Sequence, residues 1–124
     1  MLIFHWCKEC NAKRFQQDFS NWTSGNEFID KFIQEVQLNA INSEYVIEWI
    51  PYNRFKNVKY LNKGEFSTVY KAIWLDGPIQ KWSYNDRKWI RCNKNYCTNE
   101  FVVALKNLNG SINLNEGFLN EVQT

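Results

Sequence analysis

Residues 58–74 read VKYLNKGEFSTVYKAIW, and this stretch decides the fold. Its two ends are rich in β-branched and aromatic residues, which is typical of strands. The segment between them, residues 61–67, is turn-like and carries Gly64 at its centre. The stretch therefore predicts two strands joined by a tight loop. Farther along, FVVALK at residues 101–106 is the strongest strand pattern in the chain and predicts another strand.

Upstream, residues 26–39 carry the clearest helical pattern of the sequence. Apolar residues recur there at steps of three and four, which places them in one stripe: Phe28, Ile29, Phe32, Ile33 and Val36. The spacing of Ser24 and Glu27 predicts a capping box that starts the helix. We expect the stripe to be a packing face, and Pro51 to mark the boundary between this helical region and the strands.

Between the predicted strands, the sequence predicts a hairpin. Residues 76–78, DGP, are a strong turn signal. Trp82 and Tyr84 precede the polar pair at 85–86, and Trp89 follows it. We expect a projecting hairpin whose aromatic residues pack across the two strands, with an interaction surface as the alternative use of these rings.

The composition limits the function classes. With 124 residues, of which 44% are hydrophobic, the chain is predicted to fold as one globular domain. Its 15 Lys and Arg and 13 Asp and Glu are scattered, which argues against a nucleic-acid-binding surface. Charged residues interrupt the apolar start of the chain, so neither a signal peptide nor a membrane span is predicted. We therefore expect a cytoplasmic protein that contacts neither nucleic acid nor membrane.

The four cysteines are expected to stay as thiols or to bind metal, because a reducing compartment disfavours disulfides. Cys7 and Cys10 form a CxxC pair, but tetrahedral zinc needs four ligands. Nothing in the sequence shows that His5, Cys92 or Cys97 meets this pair. Cys7 and Cys10 are therefore only weak metal candidates, and free thiols or half of a truncated site are the preferred interpretation.

Three segments together resemble protein kinases. Residues 58–72 resemble the glycine-rich strand-loop-strand of that family, and VALK at residues 103–106 resembles its VAIK motif. FLNE at residues 118–121 resembles the part of the following helix that presents an ion-pairing glutamate. The order and spacing of the three segments agree with the kinase template.

A wider resemblance covers most of the chain. WTSGN at residues 22–26, VIEWIPY at residues 46–52 and WLDG at residues 74–77 are similar to the expanded kinase-like proteins of arbuscular mycorrhizal fungi. In such relatives a cysteine-rich, zinc-binding segment precedes the helix. Cys7 and Cys10 resemble the second pair of that segment, so the start of the chain is expected to be truncated.

The resemblance implies an α+β fold, the antiparallel β-sheet of a kinase amino-terminal lobe with the start of its glutamate-bearing helix, preceded by a helical extension. It implies three parts: a truncated cysteine-containing segment at residues 1–22, a helical extension at residues 23–52, and a partial protein kinase domain at residues 53–124. Residues 76–100 are then interpreted as a hairpin insertion before the VALK strand.

The implied ligand is ATP, with Mg²⁺ in a complete domain. The residues implied to contact ATP are Leu61, Gly64, Val69, Ala72 and Lys106. Val69 and Ala72 would offer small apolar surface to the adenine, which Leu61 would close over. Lys106 would reach the α- and β-phosphates and pair with Glu121, and Gly64 would let backbone N–H groups approach the phosphates.

The chain also departs from the kinase pattern. Asn62 and Ser67 stand where the template has its first and third glycines, and His5 is the only histidine, so no His-Arg-Asp catalytic loop is present. No Asp-Phe-Gly motif follows Lys106. We therefore expect no phosphoryl transfer by this chain alone. Two function classes stay open: the ATP-binding part of a kinase-like enzyme, or a catalytically dead protein-interaction module that uses its amphipathic helix and aromatic hairpin.

Overall fold

The computed structural model describes residues 6–95, 97 and 99–108, and this part of the chain folds as α+β. Its helices and strands are α1 (Lys8–Asp18), α2 (Glu27–Asn39), β1 (Phe55–Lys63), β2 (Ser67–Trp74), β3 (Ile79–Ser83), β4 (Lys88–Arg91) and β5 (Phe101–Leu108). Strands β1, β2 and β5 form one antiparallel sheet in that order, and β3 and β4 form a separate hairpin. The predicted α+β class and antiparallel pairing are confirmed. The implied glutamate-bearing helix, which contains residues 118–121, lies outside the described residues.

The two faces of the β1-β2-β5 sheet differ in burial. Strands β2 and β5 pair without a break from Ser67 opposite Leu108 to Trp74 opposite Phe101. Because side chains alternate along a strand, every second pair lies on the same face. One face forms the main core, whose buried members are Ile50, Phe55, Ala72, Trp74, Val103 and Leu105.

Strand β1 is less regular than its neighbours. Its pairing with β2 shifts between Lys56 and Lys59 and again between Tyr60 and Asn62. Asn57, inside the first irregularity, has a φ of 56°, a left-handed conformation that asparagine tolerates better than most residues. These irregularities set which β1 side chains share a face with those of β2.

Helix α2 confirms the predicted helix but begins differently from the prediction. Asn26, not Ser24, is the N-cap, and its side chain accepts from the backbone N–H groups of Phe28 and Ile29. Ser24 instead donates through its hydroxyl and its backbone N–H to Asp30. Partial burial works to raise the pKa of Asp30, but these hydrogen bonds hold it below its usual value. The predicted capping box is therefore wrong, because Asp30 competes for Ser24.

The buried stripe of α2 also differs from the predicted one. Ile33 is fully buried and Gln37 nearly so, whereas Phe28 is 80% and Phe32 58% exposed. A period of 3.6 residues allows a stripe through Ile33 and Gln37 that excludes Phe28 and Phe32. The prediction that this helix packs on a neighbour holds for Ile33, but the two phenylalanines lie outside that contact.

Helix α1 is the main element that the sequence patterns did not predict. It packs against α2 and buries Phe15 and Asn11. Trp6, just before α1, donates from its indole nitrogen to the carbonyl oxygen of Ala40 at 3.0 Å, which ties the start of α1 to the end of α2. Within the described residues, neither α1 nor α2 has the length and apolar character that crossing a membrane requires.

The β3–β4 hairpin lies against α1 instead of projecting. Trp89 stacks on Phe15 with ring centroids 4.8 Å apart and on Trp6 at 5.7 Å. Trp82 and Trp89 face each other across the hairpin and meet edge to face. The predicted cross-strand aromatic packing is confirmed. The projecting orientation is wrong because the same tryptophan also fills the space beside α1.

The base of the hairpin is closed by tight backbone contacts. Gly77 has a φ of 68°, and a Cβ built there would lie 1.7 Å from the carbonyl oxygen of Cys92. Cys92 donates its backbone N–H to Pro78, and the turn that follows joins Cys92 to Cys97 in a disulfide with a Cα–Cα distance of 5.4 Å. The expectation of four thiols or metal ligands therefore fails for these two residues, since the turn brings their side chains together.

Two bidentate ion pairs fix the loops around the hairpin. Arg54 donates to both carboxylate oxygens of Asp76 at 2.9 and 2.8 Å. Arg91 donates to both oxygens of Glu48 at 3.0 and 2.6 Å, and also to the carbonyl oxygen of Gly77. Burial works to lower the pKa of Arg91, but the hydrogen bonds and negative charge of Glu48 raise it above its ordinary value.

Candidate nucleotide-binding face of the sheet

The β1-β2-β5 sheet has an open face opposite its core. On β2 and β5 this open face carries three directly opposed pairs: Val69 with Lys106, Lys71 with Ala104, and Ile73 with Val102. None of these six residues is fully buried, and Val102 is 48% exposed. Opposed residues of an antiparallel pair lie about 5 Å apart, close enough to contact one ligand together.

The open face is rich in lysine. Lys106 and Lys71 come from β5 and β2, and the pairing of β1 adds Lys56 opposite Ile73 and Lys59 opposite Lys71. Within the described residues, none of these four lysines forms an ion pair with a carboxylate. Four cations interleaved with small apolar side chains provide both charge for an anion and a flat apolar surface.

Gly64 lies in the loop that joins β1 to β2, beside this face. Its backbone N–H donates to the carbonyl oxygen of Ser67 at 2.8 Å, which closes the loop. Gly64 does not adopt a left-handed φ, and within the described part of the chain a Cβ there would meet only that oxygen, at 3.7 Å. The described part of the loop therefore leaves room for a side chain at this position.

The structure brings together some of the residues that the resemblance implied. Val69 and Lys106 are opposite each other on the open face, and the Gly64 loop starts at the same end of β2. Leu61 lies on β1 at an irregularity of the pairing and is exposed. The predicted partner of Lys106, Glu121, lies outside the described residues.

Ala72 is the exception. It is opposite Val103 on the core face and is 1% exposed, so its side chain does not reach the face that carries Lys106. The open face instead carries Ala104, two residues before Lys106 on the same strand. The alternation of β5 is the signal for Ala104, because residues two apart share a face.

The cysteine pair near the start of the chain is separate from this face. Cys7 is the N-cap of α1, and its sulfur accepts from the backbone N–H of Cys10 at 3.3 Å. Hydrogen bonding by the Cys10 side chain and backbone lowers the pKa of Cys7, and the same side-chain interaction raises the pKa of Cys10. Within the described residues, no cluster of three or more His, Cys, Asp or Glu side chains is arranged to hold a metal ion.

No family model, no curated protein and no solved structure matches this chain.

Proposed function

We propose that this chain is the ATP-binding amino-terminal portion of a protein-kinase-like domain. The observation that carries the proposal is the pairing of Val69 with Lys106 on an open, lysine-rich sheet face beside the Gly64 loop. The order β1-β2-β5 supports it, because the strand that resembles VAIK lies next to the strand that follows the loop.

The chemistry of the open face suits a nucleotide triphosphate. Val69 and Ala104 offer small apolar side chains to a planar base, and Lys106 places an ammonium within reach of its phosphates. Gly64 leaves room for the phosphates to approach the backbone N–H groups of the loop. In this proposal Ala104 takes the role that the sequence gave to Ala72, and Glu121 would hold Lys106 through a charge-assisted pair.

Calorimetric titration of the purified chain with Mg-ATP tests this function. We expect saturable binding that Lys106→Ala weakens about tenfold, since a charge-assisted contact to phosphate is lost. Gly64→Ala should weaken binding severalfold and leave the melting temperature unchanged, because its Cβ meets no obstacle in the chain.

The matched control is Lys31→Ala, which removes the same charge from an exposed position on α2. It should bind Mg-ATP like the unmodified chain. A folded chain that does not bind Mg-ATP, or an equal loss in Lys31→Ala and Lys106→Ala, would refute the proposed site.

A catalytically dead protein-interaction module is the second candidate function. The observation that favours it is the exposure of Phe28 and Phe32, one helical turn apart on α2. Two large apolar side chains at this spacing form a small patch of the kind that a partner helix covers. This function needs neither Lys106 nor Gly64, so the Mg-ATP titration separates the two candidates.

The cytoplasm is the compartment that we propose for this function, since kinase-like domains draw on cytosolic ATP. The disulfide between Cys92 and Cys97 argues in the other direction, because such bonds are uncommon in cytosolic proteins.

A further inference from the structure

A second site opens on the other half of the molecule, between the start of α1 and the β3–β4 hairpin. It is an open groove of about 1100 Å³, slightly larger than a usual small-ligand pocket. Its walls combine aromatic, amide and cationic side chains, chiefly Trp6, Asn11, Arg14, Gln80, Lys81 and Trp82. Neither the proposed ATP contacts nor the exposed phenylalanines of α2 belong to it.

Arg14 is held in one orientation within this groove. Its guanidinium donates to Oδ1 of Asn11 at 2.6 Å, and Asn11 is only 4% exposed. The guanidinium carbon lies 4.6 Å from the ring centroid of Trp82 and 5.2 Å from that of Tyr84. Stacking and hydrogen bonding thus position the cation before any ligand arrives, which lowers the entropy lost on binding.

The charged side chains that line the groove are all positive among the described residues. Arg14 and Lys81 line it, whereas no Asp or Glu of the described residues does. A guanidinium has five N–H donors, and among the described residues only Asn11 accepts from that of Arg14. The remaining donors form the planar fork that matches a carboxylate.

We propose that this groove binds an acidic segment of a partner protein, with a carboxylate of that segment paired to Arg14. Charge complementarity selects an anionic occupant. Asn42 and Gln80 also line the groove. The Asn42 oxygen already accepts from the backbone N–H of Glu44 and the Gln80 nitrogen donates to the sulfur of Cys97, so the Asn42 amide nitrogen and the Gln80 oxygen are the donor and acceptor offered to a peptide backbone. Lys81, which also lines the groove, adds to its positive charge.

The aromatic rings of the groove favour a peptide over single-stranded nucleic acid. Bases bind such proteins by stacking on free aromatic faces. Here Arg14 covers the Trp82 ring, while Trp6 stacks on Trp89. Both tryptophan rings are thus engaged within the protein, and the exposed ring of Tyr84 has the Arg14 guanidinium 5.2 Å from its centroid. The groove therefore recognises its ligand mainly through charge and hydrogen bonds.

Fluorescence anisotropy of a labelled tetraglutamate peptide with the full chain tests the proposal. We expect saturable binding that weakens as salt is added, and no comparable binding of the tetraglutamine peptide. Arg14→Gln should weaken binding about tenfold and Lys81→Gln about threefold. The matched control is Lys13→Gln, which removes the same charge from the next position on α1 outside the groove and should leave the affinity unchanged.

Circular dichroism checks that each variant is folded. If Arg14→Gln fails to fold, Lys81→Gln decides, because Lys81 is exposed on β3. The proposal fails if the two peptides bind equally, if Lys13→Gln has the same effect as Lys81→Gln, or if a short oligouridine binds more tightly than tetraglutamate. Saturating Mg-ATP should not displace the peptide, which keeps this result independent of the ATP site.

Discussion

In the helix–hairpin half, made of α1, α2, residues 40–49 and the β3–β4 hairpin, the base of the hairpin pairs its charges, whereas the open face of the β1-β2-β5 sheet does not. In the first, Arg91 and Glu48 form a bidentate pair with little exposure of either side chain. On the open face of the sheet, Lys71 and Lys106 have no carboxylate partner among the described residues. The paired charge holds the fold together, whereas the two lysines are left without carboxylates among the described residues, as the proposed anion site requires.

The two glycines of these regions show the same contrast. Gly77 stands where no side chain fits, since its Cβ would overlap the backbone of Cys92. Gly64 stands where a Cβ would make only an ordinary contact. The fold requires the first glycine, whereas the described residues leave room for a side chain at the second.

The largest expected effect is on stability and comes from Gly77→Ala. The Cβ would force the hairpin base apart at a left-handed backbone position, which should lower the free energy of unfolding by about 3 kcal/mol. Urea denaturation measures this change, with Gly64→Ala as the control that should unfold like the unmodified chain. Equal stability of Gly77→Ala and Gly64→Ala would break the comparison.

A smaller loss should follow from Arg91→Met. The variant keeps an apolar stem but leaves Glu48 poorly exposed and unpaired, and partial solvent access limits the loss to about 2 kcal/mol. Lys71→Met should cost nothing measurable, because Lys71 is exposed and has no ion-pair partner among the described residues. Thermal unfolding of both variants tests the contrast, and a loss of stability in Lys71→Met would show that its charge is structural.

The sheet could be predicted from the sequence because its signals are local. The β-branched runs and the Gly64 turn specify β1, β2 and β5 without reference to the rest of the chain. The face on which each residue lies is also a local property, because residues an even number apart on a strand share a face. Ala104 lies two residues before Lys106 on β5 and shares its face, whereas Ala72 lies three residues after Val69 on β2 and so lies on the opposite face.

The packing of the helix–hairpin half could not be predicted from local patterns. Helix α1 is largely polar and buries only Asn11 and Phe15, so it has no apolar stripe to detect. The hairpin turns onto α1 through Trp89, a contact between residues far apart in sequence. Arg14 and Trp82 are also far apart in sequence, so no local pattern predicts their contact. The groove between them could therefore be found only from the structure.

The most direct test of the central claim is a titration of the ¹⁵N-labelled chain with Mg-ATP, followed by amide chemical shifts. The account predicts that the shifts concentrate in residues 61–69 and 102–106, while α2 and the β3–β4 hairpin stay unchanged. Shifts confined to the groove beside Arg14, or no shifts in a folded chain, would contradict an ATP site on the open face of the β1-β2-β5 sheet.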